Sequence, residues 1–200
     1  MKLIFGLFIF VMNVGLLGYS QVKKPLNYAD SIKQRVLYFI KYAETIDPNS
    51  MLINNKVFYM DEIKHLKKTF GLPDSITPSR AECCTYWDEI DEKEIWYGKT
   101  LFSAYKDSAI IDQLYFDDGK FFITTPKLIL SKSTTYDDAC KVFPKACKLS
   151  ESYINTFDKK LGKNTRIKSF SLKMCKECEF SWILFFRDNK LIRLDYFIPS

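Results

Sequence analysis

The chain is poor in the residues on which most catalytic sites depend. Its 200 residues include one histidine, His65, so a mechanism that needs two imidazoles is excluded. A Cys-His or Ser-His-acid arrangement would have to use His65. This residue lies among lysines in "IKHLKK", beside an apolar helical stripe, and that setting is typical of a structural histidine near solvent. We therefore expect no catalytic residue here.

Long apolar runs are also missing, except at the start of the chain. A single lysine precedes an apolar run over residues 3–14, and small or polar residues follow it up to Ser20. This order is typical of a signal peptide over residues 1–20, cleaved after Ser20. An uncleaved anchor would need about 18 continuous apolar residues, and Asn13 interrupts the run. We expect an exported protein, periplasmic or extracellular, with no transmembrane segment after cleavage.

The chain lacks a strong charge of either sign. Its formal charge is +6, and removal of the predicted signal, which carries one lysine, leaves +5. Export makes nucleic acid a poor candidate partner, whereas a small positive excess suits an anionic envelope surface, peptidoglycan or an acidic protein. The residues that we select for such contacts surround one predicted loop: Lys159, Lys160, Lys163, Arg166 and Lys168. The alternative is that these residues only keep the surface solvated.

Recognisable catalytic and metal-binding motifs are missing as well. The acidic run "DEIDEKE", over residues 88–94, has neither the spacing nor the glycine of a calcium loop. We interpret it as a solvated connection between strands. Paired carboxylates for a hydrolase remain an alternative, because acids distant in sequence can converge in the fold. The sequence predicts no catalytic residue, no metal and no cofactor.

Helix and turn signals divide the first part of the chain. Apolar residues at helical spacing predict one helix in "ADSIKQRVLYFIKYAETIDP" and a second in "DEIKHLKKTFGLPD", where Asp61 can cap and Gly71 can end the helix. Between them, Asn54-Asn55 predicts a hairpin. Several strands follow, and Asp118-Gly119 predicts the clearest hairpin, within "IIDQLYFDDGKFFIT".

A similar plan recurs after residue 130. "TTYDDACKVFPKAC" predicts a short helix capped by Thr134 or Thr135, and three strands follow it with a turn at Asp188-Asn189. Matching that turn to Asp118-Gly119 suggests a degenerate repeat, although two unrelated modules would give the same plan. We predict an α+β fold of antiparallel β-sheets packed by short α-helices, with units at 21–130 and 131–200.

The pattern resembles a known repeat. A helix that ends in "FGLPDSI", a meander, and a closing "WILFFRDNKLIRL" are similar to the repeat of secreted β-lactamase-inhibitor proteins and the small lipoprotein of the outer-membrane barrel-assembly machinery. The matching residues are Phe70, Gly71, Pro73, Asp74, Trp182, Phe186, Asp188, Lys190 and Leu191. The resemblance covers about residues 51–198. It implies that each helix lies on one sheet face and that the open face or the loops bind another protein.

Six cysteines follow the predicted signal, and an even number in an oxidising compartment favours disulfides. A zinc site would need a second CxxC pair, and a copper site would need a different spacing between Met and Cys. A thioredoxin-type couple would lie at the start of a helix, so all three sites are disfavoured here. The simplest pairing is local, Cys140 with Cys147 and Cys175 with Cys178. Cys83 and Cys84 are then a vicinal pair or free thiols, unless one of them reaches a distant cysteine.

The sequence therefore predicts an exported, non-catalytic protein-binding module. An inhibitor, an immunity-type protein or an envelope-assembly factor fits the size, the disulfides and the missing catalytic motifs. The alternative is a secreted hydrolase that uses an unrecognised carboxylate pair.

Overall fold

The structure is a computed structural model that describes residues 44–79, 87, 91–155 and 165–198, with the backbone alone at 151–155 and 165. Thirteen strands lie in this part of the chain: β1 Leu52–Ile53, β2 Val57–Phe58, β3 Met60–Glu62, β4 Ser75–Pro78, β5 Lys93–Tyr97, β6 Thr100–Tyr105, β7 Ser108–Tyr115, β8 Ile123–Thr124, β9 Ile129–Leu130, β10 Glu151–Asn155, β11 Thr165–Lys173, β12 Ser181–Arg187 and β13 Lys190–Phe197.

Nine of these strands form one antiparallel sheet. Its order is β10-β11-β12-β13-β7-β6-β5-β4, and β3 pairs with the part of β7 that β13 leaves free. The other four strands form a small sheet in the order β2-β1-β8-β9. The predicted hairpin at Asn54-Asn55 is confirmed, because β1 pairs with β2 and both asparagines have positive φ. Asparagine tolerates the left-handed conformation that this turn requires.

The first helix, α1, spans Ile63–Phe70. Its N-cap is Glu62, and the neighbouring Asp61 carboxylate accepts the Glu62 N–H at 2.7 Å and lies 2.8 Å from Nδ1 of His65. The helix ends at Gly71, whose φ of 85° and ψ of −167° lie in a region that almost only glycine occupies. The predicted helix stop is confirmed at this residue.

Two short helices, α2 at Tyr136–Val142 and α3 at Pro144–Lys148, form the second helical segment. The Thr135 side chain caps α2 by accepting the Asp138 N–H at 3.0 Å, as the sequence predicts. The start of α3 is capped from a distant part of the chain. The Glu44 carboxylate accepts the N–H groups of Lys145 and Ala146 at 3.0 and 2.9 Å.

All three helices pack on one face of the large sheet. Leu66, Ala139 and Ala146 are buried there in the same apolar core as the sheet residues Trp182 and Leu114. The small sheet contributes Ile53, Val57, Ile123 and Leu130 to the same core. We call the opposite side of the large sheet the helix-free face, because no helix of the described residues packs on it. No helix in the described part is both long and apolar enough to cross a membrane.

The predicted hairpin at Asp118-Gly119 is wrong. A tight turn does form, with the Gly119 N–H donating to the Phe116 carbonyl at 2.9 Å. The strands on its two sides belong to different sheets, however, since β7 pairs with β6 and β13 whereas β8 pairs with β1 and β9. Pairing with β1 buries Ile123 completely, and this distant contact decides where β8 goes.

The internal similarity has a different register from the one that the turns suggest. The β6–β7 hairpin corresponds to the β12–β13 hairpin, because β7 runs from Ser108 to Tyr115 and β13 from Lys190 to Phe197, 82 positions later at both ends. The turn equivalent to Asp188-Asn189 is therefore Lys106-Asp107, where Lys106 has φ of 52°. Two four-stranded meanders, each following a helix, meet where β7 pairs with β13. The predicted α+β class is confirmed; the units at 21–130 and 131–200 stay a prediction.

Candidate functional site

The two local disulfides form as predicted. Cys140 and Cys147 join α2 to α3 with their Cα atoms 5.5 Å apart. Cys175 and Cys178 close the turn between β11 and β12 with a Cα separation of 5.0 Å. Both bonds hold neighbouring elements together, and a role as structural clasps explains them.

The predicted signal peptide, the first predicted helix, Cys83 and Cys84 lie outside the described residues.

The predicted basic surface is described only in part. Arg166 and Lys168 are exposed on β11, and Nζ of Lys168 lies 4.4 Å from the centre of the Tyr136 ring on α2. This contact places Lys168 on the helix side of the sheet. Lys159, Lys160 and Lys163 lie outside the described residues, so the predicted contact with an acidic partner stays a prediction.

The strand register defines the helix-free face. Residues directly opposite one another in paired strands point to the same side of a sheet. One row crosses seven strands and contains Ser75, Trp96, Leu101, Gln113, Asp195, Ile183 and Ser171. The next row contains Tyr115, Arg193, Phe185 and Ser169. This face therefore mixes polar, aromatic and apolar side chains, whereas the opposite face supplies most of the buried apolar core.

Four carboxylates gather on this face. Glu94 lies opposite Ser103, Asp112 and Asp195 lie on the adjacent strands β7 and β13, and Glu92 extends the β4–β5 pairing. We call these four residues the acid cluster. The interpretation of "DEIDEKE" as a solvated connection is wrong for Glu92, which is 3% exposed, and for Glu94, which belongs to β5 and is half-buried. Asp91 is exposed, as a connecting residue should be.

Asp112 occupies an irregular position on β7. Phe102 pairs with Ile111 and Leu101 with Gln113, so Asp112 is the extra residue of a β-bulge. The pKa of Asp112 is raised from 3.8 to about 6. Burial is the largest cause, and the charges of Glu92 and Glu94 add to it. A hydrogen bond from Ser103 and the charge of Arg193 oppose this rise. Asp112 thus titrates close to neutral pH.

Asp195 is held by Arg193 on the same strand. The Arg193 Nε lies 2.8 Å from the Asp195 Oδ1, and both side chains are mostly buried. Burial raises the pKa of Asp195 to about 7, because the nearby charge of Asp112 adds to a desolvation that Arg193 only partly offsets. The charge of Asp112 thus contributes to the raised pKa of Asp195.

Aromatic rings fix the geometry around the acid cluster. The Arg193 guanidinium lies 4.3 Å from the Phe185 ring centre, and its Nη1 donates to the Tyr115 hydroxyl at 3.1 Å. The Trp96 Nε1 donates to Glu94 at 3.3 Å. From the segment between β4 and β5, the Trp87 Nε1 donates to the Ser103 carbonyl at 3.4 Å. Packing and hydrogen bonds leave these side chains little freedom to rearrange.

The acid cluster was missed by sequence reasoning, although a signal for part of it exists. Asp112 interrupts the apolar run "AIIDQLYF", and Asp195 interrupts "LIRLDYF". A carboxylate within such a run is expected to be paired or to serve a function. The convergence itself needed the β7–β13 pairing, which joins segments about 80 residues apart. Within the described ranges, no group of three or more His, Cys, Asp or Glu side chains is placed to hold a metal ion.

Comparison of the chain with protein-family models, with curated proteins and with solved structures returned no match.

Proposed function

We propose that this protein is an exported, non-catalytic module that binds another protein through its helix-free face. An inhibitor, an immunity-type protein or an envelope-assembly factor would each act in this way. The observation that carries the proposal is the difference between the two faces of the large sheet. Three helices and the small sheet bury one face, whereas no helix of the described residues covers the other, on which Trp96, Gln113 and Tyr115 are half-buried.

Two further observations support the proposal. The disulfides Cys140–Cys147 and Cys175–Cys178 fit an oxidising compartment, such as the periplasm or the extracellular space. The resemblance to the β-lactamase-inhibitor repeat implies a sheet with helices on one side and a partner on the other. Enrichment in Trp, Tyr, Phe and Arg is also typical of the centre of protein interfaces.

A matched pair of phenylalanines gives a test. Phe197, on the helix-free face opposite Ser181, is 46% exposed, and Phe58, on the small sheet, is 50% exposed. Tagged protein, Phe197→Ala and Phe58→Ala would each be used to capture partners from the envelope fraction of the cells that produce it, at low salt. We expect a stoichiometric partner that Phe197→Ala loses and Phe58→Ala keeps. Equal capture by both variants, or no partner with the unchanged protein, would refute the proposal.

The second candidate function is hydrolysis by a carboxylate pair. The observation that favours it is the raised pKa of both Asp112 and Asp195, on neighbouring strands, since perturbed carboxyl groups cluster in active sites. Glycan hydrolysis would be measured as reducing ends released from peptidoglycan. A hydrolase would lose this activity in both Asp112→Asn and Asp195→Asn, and a binding module would show none to lose.

A further inference from the structure

We propose that the small sheet docks on an anionic lipid surface through its outer face. This face differs from the helix-free face of the large sheet, so the lipid contact and the protein contact can be tested separately. The register of the small sheet places four residues directly opposite one another across its strands, and we call them the outer row: Phe58, Leu52, Thr124 and Ile129.

The outer row is largely apolar and faces solvent. The strand residues next to it point into the core and are fully buried: Ile53, Val57, Ile123 and Leu130. Because successive side chains of a strand point to opposite faces, the outer row points away from the core. Phe58 is 50% exposed and Ile129 is 55% exposed, with Leu52 half-buried beside Phe58. An apolar surface of this kind needs a partner that offers apolar contact.

The small sheet carries charge of one sign. Its two segments, residues 51–58 and 119–132, contain four lysines and neither aspartate nor glutamate, so their formal charge is +4. All four lysines are exposed: Lys56, Lys120, Lys127 and Lys132. The Asp61 carboxylate approaches Phe58, but it is engaged with the Phe58 N–H at 3.2 Å and with Nδ1 of His65 at 2.8 Å. An anionic surface with an apolar interior complements this combination of exposed apolar side chains and lysines.

The residue types favour lipid over protein as the occupant. The centres of protein interfaces are enriched in Arg, Tyr and Trp and depleted in Lys, whereas the two segments contain lysine and none of the other three. A lysine ammonium is a hydrated point charge on an aliphatic stem, which suits headgroups without fixed positions. The Thr124 hydroxyl already donates to the Asn55 side chain, so this polar group needs no directional partner.

The contact that we propose is shallow. The four strands have two residues each and are about 7 Å long, so the outer row reaches the boundary between headgroups and acyl chains. Two exposed apolar side chains supply little affinity by themselves, and the lysines must add to it through the negative surface potential. Binding should therefore require anionic lipid, be reversible, and weaken as salt screens the charges.

Vesicle sedimentation tests the contact with the purified protein. The probes are vesicles of phosphatidylcholine alone and of phosphatidylcholine with about 40% phosphatidylglycerol. Lipid would be titrated at about 50 mM and about 500 mM salt. We expect a partition coefficient at least about tenfold higher on the anionic vesicles at low salt, and loss of most of this difference at high salt.

Matched apolar variants assign the binding to the outer row. Phe58→Ala and Ile129→Ala should each lower the partition coefficient on anionic vesicles about fivefold. Two exposed residues of the same kinds elsewhere serve as controls, Phe180, which is 38% exposed, and Ile76, which is 46% exposed. Phe180→Ala and Ile76→Ala should leave the partition coefficient unchanged. A thermal melt of each variant would show that it is folded.

A matched pair of lysines tests the charge contribution. Lys56→Gln should lower the partition coefficient on anionic vesicles about fivefold, whereas Lys190→Gln, at an exposed residue of the β12–β13 turn, should change it less than about twofold. The apolar run over residues 3–14 is the same in all variants. Any affinity of that run for lipid therefore cancels when variants are compared.

Three results would overturn the proposal. One is equal binding to both kinds of vesicle at low salt. Another is that Phe58→Ala and Ile129→Ala bind anionic vesicles as tightly as their controls. The third is a dimer in analytical ultracentrifugation that Phe58→Ala abolishes, without vesicle binding, because the face would then contact a second copy of the chain. The proposed function does not depend on these results, since its test is the capture of a protein partner through Phe197.

Discussion

Asp112 is expected to make the protein less stable at neutral and alkaline pH than it would be without this charge. Its pKa is about 6 in the folded protein and 3.8 as an ordinary side chain. A carboxyl group with a raised folded pKa binds more protons in the folded state between these values. The loss of folding stability that the ionised carboxylate causes is absent below the pKa of the unfolded state and complete above the pKa of the folded state. Asp112→Asn keeps the shape and removes the charge, so this variant should be stabilised as pH rises.

The size of the effect follows from the two pKa values. A rise from 3.8 to about 6 corresponds to about 3 kcal/mol once the folded carboxyl is ionised. Linkage then gives Asp112→Asn a gain of about 1 kcal/mol at pH 4.5 and about 3 kcal/mol at pH 8.5. The gain should therefore grow by about 2 kcal/mol across this range. The difference between these two gains is the quantity to measure.

Urea unfolding of the protein and the variant at both pH values measures this difference. Asp107→Asn, at an exposed residue of the β6–β7 turn, is the control and should change the free energy of unfolding by less than about 0.5 kcal/mol at either pH. If the gain from Asp112→Asn does not grow with pH, Asp112 is not desolvated and the electrostatic account of the acid cluster is wrong.

Three further predictions concern the scaffold. Replacing both Cys140 and Cys147 by serine should lower the free energy of unfolding by about 2 to 3 kcal/mol, measured in urea, and a loss below 0.5 kcal/mol would show that the clasp adds nothing. Glu44→Ala should cost about 1 to 2 kcal/mol in thermal unfolding because it uncaps α3, and Glu44→Gln should cost less because it keeps an acceptor oxygen. Gly71→Ala should lower the free energy of unfolding by about 1 to 3 kcal/mol through backbone strain alone, since an added Cβ would meet nothing within 4 Å. Unchanged stability would contradict the role of Gly71 in ending the helix.

Local features of the fold could be predicted from the sequence, and pairing between distant segments could not. The stop at Gly71, the cap at Thr135 and the two disulfides depend on neighbouring residues, and each was predictable. The hairpin at Asp118-Gly119 failed because its turn signal is local whereas the choice of partner for β8 is not. A short strand pairs where its apolar side chains are best buried, and turn residues do not determine that place.

The equivalent turn in the first meander was missed for a related reason. Lys106-Asp107 lacks the glycine or asparagine that marks such turns, yet Lys106 adopts a positive φ there. Long strands on both sides, β6 and β7, hold the turn in this conformation through their pairing. The acid cluster was hidden in the same way, because it exists only after β7 pairs with β13.

The acid cluster lowers the stability of a sheet that is otherwise well packed. Asp112 costs free energy in the folded protein once it is ionised, so Asp112→Asn should fold more stably as pH rises. The neighbouring Arg193 cannot neutralise Asp112 without leaving Asp195, because the Phe185 ring and the Tyr115 hydroxyl hold its guanidinium. Neither aspartate can therefore gain a closer contact with Arg193 unless this side chain breaks a contact that it already makes, and both aspartates keep a raised pKa.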